Sequence, residues 1–277
     1  MIFNMLEDTS ILKKFFNHRT EFIYDDEAKR LVKKINSAMT IKELELICRH
    51  LNLADEVCLE KVDLWLAQNA MTSVFTGLKK YSMLRSKINY FGTLNGLIKN
   101  RDKLFLKLYG ISFLIIDSLR KETDRLTSDC NKIFNSDGIA LAFLMSAGKY
   151  QFGGIIINEK SLNQQSILAD LEYGENIGHS PKGCKTIKSI IDHEMGHLLD
   201  FDMQISNSSE YIRFIQNYNI KTIEKNLSSY CVSNGVINHK EVIAEAYAEY
   251  CNNPIPRIIA AEIGLIMDQK YKQRYKK

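Results

Sequence analysis

Residues 186–200 read TIKSIIDHEMGHLLD and place two histidines four positions apart, with a glutamate directly after the first: His193, Glu194 and His197. A helix advances about 100° per residue, so His193 and His197 present two imidazole nitrogens from one face. Such a pair can hold a transition-metal ion. Glu194, one step round the helix, is placed to take a proton from a water rather than to bind the ion. The chemistry this implies is metal-assisted hydrolysis of a peptide bond, with Zn²⁺ as the expected ion. The alternative is a core helix carrying two unrelated histidines.

A third ligand is needed. The three-histidine continuation HExxHxxGxxH is excluded, because Asp200 and Met203 occupy its glycine and last histidine positions. A later helix supplies the other solution. In residues 241–249, EVIAEAYAE, the acids Glu241, Glu245 and Glu249 line up four apart on one face, among small and apolar residues. A buried row of carboxylates is costly unless a cation or hydrogen bonds satisfy it. Asp200, seven residues after His193, shares its face and is expected to orient a ligand imidazole, as outer carboxylates do.

The elements that must position these groups are partly legible. Thr186 reads as the N-cap of the histidine helix, whose apolar side is Ile187, Ile190, Ile191, Met195, Leu198 and Leu199. Glycine costs a helix about 1 kcal/mol against alanine, so Gly196 implies close packing beside the site. Residues 87–91 alternate as a short strand, and residues 97–126 form one long helix or two, with Gly110 as the break. Residues 139–145, IALAFLM, suit a buried strand, and residues 153–158, GGIIIN, give the strongest strand signal. An extended peptide substrate can be held by pairing with an open sheet edge. Gly154, Ile155 and Ile156 are therefore candidate substrate-binding residues, the alternative being an interior strand.

A chain of 277 residues can form one large domain or two modest ones. Residues 1–84 read as a helical, polar-rich region suited to docking, with Thr40 and Glu43 as a capping box. Residues 85–277 read as the catalytic domain. A net charge of +4 is mild and gives no reason to expect a nucleic-acid partner. The basic, aromatic tail at 270–277 reads as a solvated terminus. The first residues lack secretory features, and the most apolar stretch, 104–119, is broken by Lys107 and Asp117. No membrane association is expected; the expected setting is cytoplasmic or virion-associated. Six cysteines without CxxC spacing read as free thiols, Cys184 among them as a buried or loop thiol. His179, in the loop at 173–183, reads as solvated.

HEMGHLLD followed by EVIAEAYAEY resembles the catalytic domain of anthrax toxin lethal factor and its relatives, which are gluzincin-type zinc peptidases. It is similar also to HExxH-bearing phage minor capsid and head-morphogenesis proteins. The resemblance covers residues 150–267. It implies an α+β, zincin-like domain with a small mixed sheet and active-site helices. It implies Glu241 as third zinc ligand, Glu245 behind the ligands, and an upstream active-site tyrosine, for which Tyr230 is the candidate. The eleven positions from Tyr230 to Glu241 exceed the spacing of that pattern. Two functions follow as expectations: a zinc endopeptidase acting on a protein or peptide with Glu194 as general base, or a phage structural or assembly protein, partnered by other phage structural proteins, that keeps the fold without general proteolysis.

Overall fold

The computed structural model describes residues 25–110, 113–135, 138–160 and 163–275; the opening residues, read above for a secretory signal, lie outside these. Side-chain caps mark where helices begin. Asp25 accepts from the Ala28 amide at 2.7 Å to start α1 (Asp26–Asn36), and Thr40 from that of Glu43 at 3.2 Å to start α2 (Ile41–His50). There follow β1 (Glu56–Cys58), α3 (Leu64–Lys80), a 3-10 turn (Ser82–Lys87) and β2 (Tyr90–Thr93). Thr93 caps α4 (Leu94–Tyr109), which Gly110 ends in the left-handed region at φ 60°. The stretch 97–126 is therefore two helices, the second being α5 (Phe113–Asn135).

Two longer strands follow, β3 (Ala140–Ala147) and β4 (Tyr150–Ile157), then α6 (Gln164–Asn176) and the histidine helix α7 (Ile187–Met203). Short helices α8 (Ser209–Ile215) and α9 (Ile220–Asn226) lead to the hairpin β5 (Val232–Ser233) and β6 (Val236–Ile237). The chain finishes with α10 (His239–Asn252) and α11 (Ile258–Tyr275). The fold is α+β, mostly helical, around a small mixed sheet. Its order is β1-β2-β4-β3, with β1, β2 and β4 parallel and β3 antiparallel to β4.

Apolar side chains cover both faces of this sheet. On one face Ala140, Ala142, Ile155 and Ile157 join a core with Ile191, Met195, Leu198, Val242 and Ile243 from α7 and α10. On the other, Phe143, Met145, Phe152 and Ile156 pack with Leu104, Phe105, Leu119 and Leu126 from α4 and α5. The alternation of faces along β3 and β4 is what a two-residue side-chain repeat requires.

Several expectations need correcting here. The region before residue 84 is not wholly helical, because β1 pairs in parallel with β2 at one end of the sheet. Nor does packing break at 84: α1, α2 and α3 bury Ile35, Leu44 and Met71 in the same core as α7. The tail is not frayed through its described length. α11 runs to Tyr275, Tyr271 is buried, and Arg274 donates to the Asp202 carbonyl at 2.7 Å. No helix among the described residues is long and apolar enough to cross a membrane. All six cysteines are free.

Candidate metal centre

Thr186 starts α7 through a capping box with Ser189, which fixes the helix register that carries His193 and His197. One turn apart, their Nε2 atoms lie 3.1 Å from each other. α10 crosses α7 closely because Gly196 has no side chain: a Cβ there would lie 2.7 Å from Ala244 Cα. That approach brings Glu241, near the start of α10, opposite both imidazoles. Its Oε2 is 3.2 Å from His193 Nε2 and 3.4 Å from His197 Nε2. The three residues form a group that can hold a metal ion.

The Glu241 oxygen that faces the imidazoles is buried, yet among the described residues it has no well-formed hydrogen bond. Buried polar atoms are rarely left in that condition without a function for it. Burial works to raise the Glu241 pKa, but the close approach and charge of His193 and His197 overcome it and hold the carboxyl far below its ordinary range. His193 shows the reciprocal effect. Burial opposes its charge, while Glu241 and Glu245 outweigh it and lift the imidazole well above its ordinary value.

The carboxylates around the centre divide sharply. Glu245 Oε1 accepts from His193 Nδ1 at 2.7 Å, which turns the ring so that Nε2 faces Glu241. Asp200 does not orient an imidazole. It is taken by the turn that follows α7, accepting from the Ser206 amide at 2.7 Å and its hydroxyl at 2.8 Å. Glu249, third in the acidic row, lies outside the group of three and is saturated by Arg257, whose Nη2 lies 2.6 Å from Oε2 and whose amide lies 2.7 Å from Oε1. Cys184 is outside the group of three. Burial, reinforced by Glu245 and Glu249, keeps its thiol protonated.

Glu194 points to the sheet. Its Oε2 accepts from the Ala142 amide of β3 at 2.6 Å. Burial raises its pKa, opposed by the two histidines and by that amide. The pairing pattern overturns the substrate-edge assignment of Gly154, Ile155 and Ile156. They lie in β4 between β2 and β3, with their backbone groups flanked on both sides. The sheet ends in β1 on one side and β3 on the other, so β3 is the edge strand beside the site.

Tyr230 lies in a short 3-10 turn (Ser229–Cys231), half exposed, with its ring centroid 5.9 Å from that of His193. Burial of its hydroxyl, and then Glu241, Glu194 and Glu245, push its phenol up to about 12, so it remains a donor at neutral pH. The extra length between Tyr230 and Glu241 is the β5–β6 hairpin, closed by Asn234 and Gly235 at positive φ. His179, expected to be merely solvated, meets Tyr230 edge to face at 5.4 Å. Its loop also anchors the turn, the Ser229 amide donating to the Gly178 carbonyl at 2.9 Å.

Two contributors escaped the sequence: Ala142 and Arg257. Each acts across a distance that local periodicity does not encode, whereas His179 lies close enough to the histidine helix in the chain for contact with the site to be an alternative to solvation. No family model, curated protein or solved structure matches this chain.

Proposed function

We propose that this chain is a zinc-dependent endopeptidase of zincin-like fold, acting on protein or peptide substrates. One observation carries the reading: three donor atoms lie 3.1, 3.2 and 3.4 Å apart, beside a buried glutamate that is not one of them. A zinc ion about 2.0–2.1 Å from each donor of a regular tetrahedron requires edges of about 3.3 Å and leaves a fourth vertex for water. The residues therefore fit the ion that the HExxH spacing implies. His193, His197 and Glu241 would hold it. A purely structural site has no need of a separate base, so Glu194 favours catalysis.

When bound, zinc acidifies water and polarises the scissile carbonyl. Glu194 takes the proton of the attacking water and hands it to the leaving amine. Its hydrogen bond to Ala142 fixes the carboxylate between the ligand helix and the open sheet edge. Tyr230, neutral at working pH, donates to the oxygen that becomes negative as the carbonyl is attacked. Glu245 holds His193 in the required tautomer.

The test is metal content together with cleavage of a degenerate peptide library, on wild type and Glu194→Ala. One zinc per chain in both proteins is expected, with cleavage lost by about 10²–10⁴-fold in the variant. Absence of bound zinc in both would refute the reading. Zinc in both without cleavage in either would favour an assembly role of the kind suggested by the phage proteins.

A further inference from the structure

Beside the metal centre runs a groove of about 530 Å³, bounded by the free edge of β3, the facing side of α5 and the end of α7. Two of its lining residues touch residues of the centre. Phe201, on its wall, stacks with His197 at 6.5 Å, and Ala142, on its floor, carries the amide that holds Glu194. From there it follows residues 142–145 in one direction.

Backbone geometry makes this edge receptive. The Asn158 amide donates to the Ile139 carbonyl, whereas the amide of Ala142 turns away from β4 to Glu194. In an antiparallel ladder alternate residues bond to the partner. Leu144 and Ser146, in phase with Ala142, therefore direct their main-chain groups to the open edge, Leu144 within the groove. A peptide laid along them would place successive side chains on opposite faces. Both faces are apolar: Leu126, Ile133 and Leu141 line the α5 side, and Leu144 and Phe201 the α7 side. Charges at the rim pair with one another, Arg125 with Glu122 at 2.7 Å and Lys132 with Asp129 at 3.7 Å, so they leave no net sign to select on.

We propose that this groove is a two-sided subsite selecting extended peptide segments with consecutive apolar side chains, read on one side of the cleaved bond only. The inference rests on the peptidase reading for its cleavage but not for its binding. A folded helix cannot pair with the edge, so the substrate class is unfolded or locally extended apolar chain.

The experiment uses the full-length zinc-loaded protein and a degenerate peptide library. Cleavage by wild type is read by mass spectrometry, and binding to Glu194→Ala by affinity selection. Leu144→Arg is the variant, with Leu144→Ala as the milder companion and thermal unfolding to confirm folding. Apolar residues are expected at two adjacent positions on one side of the cut. Leu144→Arg should lose about ten-fold or more in kcat/KM on those peptides and gain a preference for an acidic residue at one of the two positions. Leu144→Ala should shift that position toward larger side chains. Selection without apolar preference, or an unchanged profile in both Leu144 variants, would overturn the inference. Selective binding that responds to Leu144→Arg, with no cleavage by wild type, would uphold the groove and sink the peptidase reading instead.

Discussion

The two ends of α10 carry the same residue type on the same face and treat it in opposite ways. At the C-terminal end, Glu249 is wholly buried and every direction in which its carboxylate can accept is used by Arg257 or nearby Asn253. At the N-terminal end, Glu241 and Glu245 each keep one buried oxygen without a well-formed hydrogen bond among the described residues. Asp192, on α7, behaves like Glu249, taking Ser73, Lys188 and Asn252. A carboxylate that serves the fold is saturated by the chain. One with a buried oxygen held back is able to serve a ligand.

The largest effect that can break this contrast is a pair of truncations. Glu249→Ala leaves Arg257 against buried carbonyls without its partner and should destabilise the protein by about 3 kcal/mol in denaturant unfolding, since losing one member of a buried pair typically costs about 3–5 kcal/mol. Arg257 is partly exposed, which puts the expectation at the lower end. Glu241→Ala should cost the metal-free protein clearly less than that, while bound metal falls to background in elemental analysis. Equal destabilisation by the two would erase the distinction.

A smaller effect sharpens it. Glu245→Gln keeps the shape but weakens the acceptor on His193 Nδ1. Metal affinity, measured by chelator competition, should drop about 10–100-fold with the fold unchanged. An affinity equal to wild type would reduce Glu245 to a packing residue.

The smallest expected effect is in protons. With the folded pKa of His193 raised, its contribution to metal-free stability is fully present below the unfolded value near 6.5 and is lost as pH rises through the folded value. Metal competes with that proton, so apparent affinity should increase with pH, by up to about ten-fold per unit, until His193 titrates. Calorimetry in buffers of different ionisation enthalpy should find about one proton released per ion at neutral pH. No release would mean that Glu241 faces a neutral ring.

The candidate metal group was legible because helical spacing is a local rule. His193 and His197, and Glu241 with Glu245, are each four apart, and α7 and α10 are helices where the pattern put them. Gly196 likewise announced a close crossing before its neighbour was known. What the sequence left open was pairing between distant segments. β3 and β4 are both short apolar runs, and nothing within either says which lies outside; the order is set by how β2 joins β4. β1 is only three residues long, too few for a period to declare itself. Asp200 was placed correctly on its helix face, yet the turn at Ser206 claimed it, an outcome that depends on where the chain goes after α7.

The missing side chain at Gly196 also makes the distance between two backbones a gauge for ion radius. Glu241 reaches the imidazoles only because α10 can rest against α7 at that point. A methyl group there would wedge the helices apart and open the triangle of donors. A wider triangle draws each donor away from the bond length of about 2.0–2.1 Å that zinc requires, so its hold on that ion would weaken. A residue that lies outside the group of three therefore helps to set how tightly that group could close on an ion.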